Sequence, residues 1–126
     1  MRENPDQKVR EWLDGQPAAS IWTNAVTVLE VRFGLQIMAR GKRRALLMNA
    51  LEAALETIGG RIAPFDDLAA TRAAELMSYR QQGGRTVELR DTMIAGIALA
   101  HHATLATRNT AHFDDLSIPV VNPWTS

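Results

Sequence analysis

Two carboxylates and one amide have neighbours that make them candidates for chemistry. Glu30 sits in Val28-Leu29-Glu30-Val31, a largely apolar stretch in which a charged side chain needs either solvent or a cationic partner. Asp91 directly precedes the most apolar run of the chain, Met93, Ile94, Ile97, Ala98 and Leu99, and Asn109 follows the short run Thr104 to Thr107. In layered α/β proteins polar sites gather at the carboxyl ends of strands, where the next helix begins, so all three residues can converge on one edge. Oxygen donors with no Cys and no clustered His suit a hard cation such as Mg²⁺ or Mn²⁺ better than zinc. Such an ion activates water and offsets charge on a phosphodiester under in-line attack. Plain structural uses compete with this reading: Glu30 as a helix-face acid paired with Arg32, Arg40 or another base, and Asp91 as a helix N-cap. Both alternatives stay open on the residues alone.

The remaining candidates are weaker. His101-His102 falls at a helix C-terminus, where imidazole complements the dipole, and His112 gains interest only from its closeness to Asn109. Arg40, Lys42, Arg43 and Arg44 form a basic run that reads as a solvated helix start or as a contact for phosphates or an acidic partner. Together with Arg108 they make a local basic rim. Trp12, Trp22 and Trp124 are too scattered for a base-stacking platform and read as core or interface anchors. Gly59-Gly60 and Gly83-Gly84 lack the Lys-Ser/Thr of a phosphate loop and read as turns.

The elements that must position these residues follow from apolar spacing. A helix is predicted over 5–16, carrying Val9, Trp12 and Leu13 on one face and stopping at Gly15. A strand is predicted over Ser20 to Thr23, then helices over Val26 to Met38 and Lys42 to Ile58, the second closed by Gly59-Gly60, the two forming a hairpin. Arg61 to Phe65 reads as a strand and Asp66 to Arg80 as a helix capped by Asp66. After a loop over Gln81 to Arg90, Asp91 starts a helix whose lack of a polar face implies burial on most sides. Thr104 to Thr107 and Ile118 to Val121 are the last strands, the first of them expected to be buried. Strands alternating with helices argue for an α/β fold with a parallel sheet, without linker, repeat or low-complexity segment.

Composition narrows the function classes. The 126 residues fit one domain over 1–126, and 46% hydrophobic against 22% charged residues is the balance of a folding chain. Lys and Arg number 14, as do Asp and Glu, so the whole molecule makes no case for a strongly basic nucleic-acid binder. The absence of Cys excludes disulfides, thiolate metal sites and a Cys nucleophile, and fits a reducing compartment. With no apolar stretch long enough to span a membrane and no signal-peptide core, a cytoplasmic protein without a membrane partner is expected.

Three segments, taken in order, carry a resemblance. They are Trp22-Thr23-Asn24-Ala25-Val26-Thr27-Val28-Leu29-Glu30-Val31-Arg32-Phe33-Gly34, Leu89-Arg90-Asp91-Thr92-Met93-Ile94-Ala95 and Leu105-Ala106-Thr107-Arg108-Asn109-Thr110. With the closing Val121-Asn122-Pro123-Trp124, the chain resembles the PIN-domain ribonuclease toxins of the VapC and FitB type over essentially its whole length. The resemblance implies a PIN-like α/β domain, a mostly parallel sheet flanked by helices. It implies a metal-dependent endoribonuclease using Mg²⁺ or Mn²⁺, the toxin of a toxin–antitoxin module, usually a homodimer and silenced by a small cognate antitoxin. Carried over, Glu30 and Asp91 are metal ligands and Asn109 is the polar catalytic position after the last-but-one strand. The acid that often follows three residues later is replaced by His112, with Asp114 and Asp115 just beyond as further candidates.

The front of the chain departs from the family pattern. Members begin with a strand ending in an Asp-Thr-Asn type motif whose Asp is a principal metal ligand, and no such segment is present. Met1-Arg2 aligns with the end of the helix that follows that motif. The expectation is a chain missing its first, central strand, roughly a dozen residues, with two strand edges exposed. A second reading is therefore a catalytically inactive PIN-like remnant that binds an antitoxin or dimerises.

Overall fold

A computed structural model describes residues 5–125, so Met1-Arg2 and the expectation attached to them lie outside the described residues. Five helices carry most of the chain: α1 (Pro5–Asp14), α2 (Ala25–Gln36), α3 (Lys42–Thr57), α4 (Asp67–Gln82) and α5 (Leu89–Ala100). Two 3₁₀ turns, Ala18–Ser20 and Thr110–Phe113, separate them from four two-residue strands: β1 (Thr23–Asn24), β2 (Ile62–Ala63), β3 (Leu105–Ala106) and β4 (Val120–Val121).

Both strand pairs are parallel, as the alternation of elements requires. β1 runs beside β2 with Thr23 opposite Ile62, and β3 beside β4 with Leu105 opposite Val120. Among the described residues the strands form two separate two-stranded parallel ladders. Other boundaries shift for local reasons. The predicted strand at Ser20 becomes a 3₁₀ turn, because Ser20 N–H and Oγ–H both donate to the Pro17 carbonyl. Leu105 is only half-buried and Ala106 exposed, so β3 lies nearer the surface than its apolar composition suggested.

The core is organised by α4 and α5. Val26, Ala63, Ala69 and Ile97 form one buried cluster, with Phe65, Met93, Ile94 and Ala100 packed against it. Leu76, Ala95 and Phe113 form a second, covered by Leu99, Leu105, Leu116 and Val120. Full burial of a side chain such as Ile97 or Phe113 contributes about 1.5–3 kcal/mol. The helices approach closely because Gly96 faces Ala69 and Ala73: a Cβ at Gly96 would lie 2.5 Å from the Ala69 carbonyl oxygen and 2.8 Å from the Ala73 Cβ. The absence of a polar face on α5 is thus explained, since it is covered by α4 on one side and by α2 and the Thr110–Phe113 turn on others.

Local signals terminate the helices. Asp66 caps α4 by accepting from Ala69 N–H at 3.0 Å, as expected from the sequence. Asn24 ends β1 and caps α2 at once, accepting from Thr27 N–H at 2.8 Å and donating to Thr27 Oγ1 at 2.9 Å. The Gly59-Gly60 pair, with φ of 64° and 69°, makes the left-handed turn from α3 into β2. Among the described residues no helix is long and apolar enough to cross a membrane.

Candidate active site at the start of helix α5

The site begins with the N-terminus of α5, where the cap alternative for Asp91 does not hold. Glu88, not Asp91, is the N-cap: its Oε2 accepts from Asp91 N–H at 2.7 Å. Asp91 lies in the first helical turn, where the helix dipole favours negative charge. Its capping duty is thereby removed and its carboxylate is left for other contacts.

One such contact is His112. The imidazole Nδ1 lies 2.8 Å from Asp91 Oδ2, joining the Thr110–Phe113 turn to the start of α5. Asn109 is the residue preceding that turn; its carbonyl accepts from His112 N–H at 3.0 Å and its own N–H donates to Thr107 Oγ1 at 3.1 Å. The amide of Asn109 is therefore carried on the same turn as the imidazole that touches Asp91.

Glu30 projects from the middle of α2 and is partly exposed. Its partner is neither Arg32 nor Arg40, but Arg90, whose Nη1 stands 3.7 Å from Glu30 Oε2. Arg32 turns instead to Glu52 on α3, at 2.8 Å. Residues two apart on a helix point in different directions, which is why Glu30 and Arg32 do not meet. Since Arg90 adjoins Asp91, this long ion pair brings the Glu30 side of α2 toward the start of α5.

The two aspartates after the turn are held by arginines. Asp115 forms a forked pair with buried Arg80, Nε to Oδ2 at 2.9 Å and Nη2 to Oδ1 at 2.8 Å. The Arg80 guanidinium holds the Asp115 carboxyl below its ordinary range, against the opposing effect of burial. Asp114 accepts from Arg85 Nη1 at 2.7 Å, a bond that raises the Arg85 pKa above its ordinary value.

The basic candidates divide in the same way. Arg44 Nε donates to the Leu35 carbonyl at 2.8 Å and Nη2 to Gln36 Oε1 at 3.1 Å, closing the C-terminus of α2. Arg40, Lys42 and Arg43 are exposed, and Arg108 lies over the Trp124 ring at 5.6 Å. Trp22, 56% exposed, is a surface residue stacked near His101 at 6.3 Å between ring centroids. Sequence reasoning did not single out Glu88, Arg90 or Arg80. The Leu89-Arg90-Asp91 segment placed Arg90 beside a candidate acid, but no local periodicity announced its partner on α2.

Glu30 and Asp91 offer the hard oxygen donors that Mg²⁺ takes, and Mg²⁺ is commonly held by one or two carboxylates plus water and substrate phosphate oxygens. The donor chemistry of the pair fits such an ion. The described residues do not form a closed cage: no three His, Cys, Asp or Glu side chains among them come together as a metal site.

Comparison with known proteins gives the family. The family described as PIN domain matches residues 2–118. VapC ribonuclease Y4jK of Sinorhizobium fredii is 38% identical over 124 residues, covering 98% of this chain and 89% of that protein. Toxin FitB of Neisseria gonorrhoeae is 35% identical over 125 residues, covering 98% and 90%. A solved structure of FitAB bound to an IR36 DNA fragment superposes with a TM-score of 0.86 at 35% identity, covering 98% of this chain and 87% of that one. With the match extending from α1 through the Thr110–Phe113 turn, and with relatives of this identity over nearly the whole length, the chain belongs to the PIN-domain family.

Proposed function

We propose that this chain is the toxin of a toxin–antitoxin pair and cleaves RNA as a Mg²⁺- or Mn²⁺-dependent endoribonuclease. The observations that support the reading are two contacts made by residues at the start of α5, Asp91 with His112 and Arg90 with Glu30, in a chain akin to a VapC ribonuclease. Glu30 and Asp91 would hold the ion, which supplies water activation and charge relief on the phosphodiester. His112 orients the Asp91 carboxylate by occupying Oδ2, and Arg90 restrains Glu30 while presenting an exposed guanidinium to a phosphate. Asn109 contributes an amide beside them for a substrate oxygen or a water. Exposed Arg40, Lys42, Arg43 and Arg108 guide the RNA backbone, whereas Arg44 is engaged within the fold.

The test is cleavage of a mixed RNA pool with Mg²⁺ or Mn²⁺ and with a chelator. Turnover is expected only with the ion, and Glu30→Gln or Asp91→Asn should lower it by at least roughly a hundredfold with an unchanged circular dichroism spectrum. Cleavage unaffected by either substitution overturns the reading. Replacing Arg40, Lys42 and Arg43 together by Gln should flatten the salt dependence of RNA binding, by roughly 0.7 in slope for each phosphate no longer neutralised.

The partner reading has its own support. Phe33 on α2, Ile37 just after it, and Leu46 and Leu47 on α3 are exposed, beside the basic residues at the α3 start, a surface suited to an amphipathic, acidic segment of the antitoxin. A homodimer is proposed with it, checked by the mass in light scattering. The lack of a three-acid cluster among the described residues favours one further reading, a PIN-like chain that binds the antitoxin and does not hydrolyse RNA. Metal-dependent turnover by this 126-residue chain would exclude it.

A further inference from the structure

Arg80 and Thr92 are the buried polar residues among those described, and they touch each other. From α4, the Arg80 guanidinium reaches three places: both oxygens of Asp115, the His112 carbonyl at 2.8 Å through Nη2, and Thr92 Oγ1 at 3.4 Å through Nη1. Thr92 adjoins Asp91, and His112 is the residue whose ring lies on Asp91. One planar group thus grips the chain on both sides of the Asp91–His112 pair.

That pair has little else to define it. The His112 side chain is 57% exposed, so its place depends on where its backbone is anchored. The anchors are the Arg80 bond to its carbonyl, the Asn109 carbonyl and the buried neighbour Phe113. Arg85 adds an outer clasp, donating to the Ala111 carbonyl at 3.0 Å and to Asp114. A buried ion pair is often replaceable by apolar residues without loss of stability, so retention of a charged fork here calls for a geometric reason. A guanidinium, with five N–H donors in a fixed fork, serves all four acceptor oxygens; a lysine ammonium has three donors and no fork.

We propose that Arg80, braced by Asp115, is a positioning residue that sets the spacing of α5 and the Thr110–Phe113 turn and so keeps the His112 imidazole on Asp91. Its consequence for RNA cleavage rests on the function proposed above; its consequence for the imidazole does not.

The experiment uses ¹⁵N-labelled imidazoles in the full chain, with Asp91→Asn as the reference for a released imidazole and His101 and His102 as internal controls. In folded Arg80→Lys and Asp115→Asn proteins, the His112 ring signals should move to the Asp91→Asn values while those of His101 and His102 stay put. RNA kcat should fall about 10- to 100-fold with KM within about threefold. Leu35→Ala, a destabilising change at the far end of α2, should leave the His112 signals unchanged. Arg80→Met with Asp115→Leu, an apolar replacement of the pair, should fold and still release His112. Wild-type His112 signals in any of these three folded variants overturn the proposal, and failure of all three to fold overturns it too, because the pair would then serve stability alone. If the wild-type chain cleaves no RNA, the ribonuclease reading falls and the imidazole signals still decide this one.

Discussion

Helices α4 and α5 meet through Ala69, Ala73, Ala95 and Gly96, all of them buried, whereas α3, rich in Leu, buries none of its residues. Small residues let two backbones come close enough to exclude water along their length. Large ones in the α2–α3 region, Phe33, Ile37, Leu46 and Leu47, stay exposed among the described residues. Both regions carry apolar residues; what differs is whether a complementary face is supplied by the same chain. The α4–α5 region is packed within the chain, whereas the apolar face of the α2–α3 hairpin is left uncovered among the described residues.

The sharpest way to break the first region is through its buried charge. Arg80→Met alone would leave Asp115 only its longer 3.5 Å contact with Arg85, and a loss of about 3 kcal/mol in urea unfolding is expected. Gly96→Ala should follow at about 3 kcal/mol, lowering Tm by roughly 10 °C, because the new methyl meets backbone and not a movable side-chain tip. The same substitution at Gly34 on α2, where a Cβ meets nothing within 4 Å, should instead stabilise by about 0.5–1 kcal/mol. Opposite signs for one chemical change would express the comparison directly.

Acid supplies a graded version. Asp115 has a folded-state pKa below its unfolded value, chiefly through the Arg80 hydrogen bonds. Its stabilisation is therefore complete above the unfolded value, about 3.9, and is lost as pH falls through the depressed folded value. Asp115→Asn should flatten the acid limb of the stability curve relative to wild type, as read from melts at descending pH. An identical acid limb in the two proteins would mean that the pair contributes no pH-linked stability.

The smallest effect on stability belongs to the second region. Ile37→Asp combined with Leu46→Asp should leave Tm nearly unchanged, since both side chains are 69% exposed, yet should abolish co-purification with a co-expressed antitoxin. A large fall in Tm would show that the hairpin is part of the core after all.

Periodicity and end signals made all five helices legible, because 3.6-residue spacing, Asp66 and the Gly59-Gly60 pair act within a few residues of where they appear. The strands were legible only as places: with two residues each, they are too short to show alternation, and hydrogen bonds to partners far along the chain define them. The cap alternative for Asp91 fails because Glu88, three residues earlier, already caps the helix by accepting from Asp91 N–H. Arg90 facing Glu30 and Arg80 facing Asp115 left no trace in local pattern, since each pair joins separate elements.

The order of segments around Glu30, Asp91 and Asn109 was enough by itself to determine the PIN-domain family and the start of α5 as the place to look. Which atoms meet there was decided only by tertiary structure. Residue type and spacing encode neighbours within a turn or two of helix, whereas the meeting of His112 and Asp91 depends on how closely α4, α5 and the Thr110–Phe113 turn approach. That approach is decided jointly by a glycine, a few alanines and one buried arginine, none of which carries a signal until they are packed together.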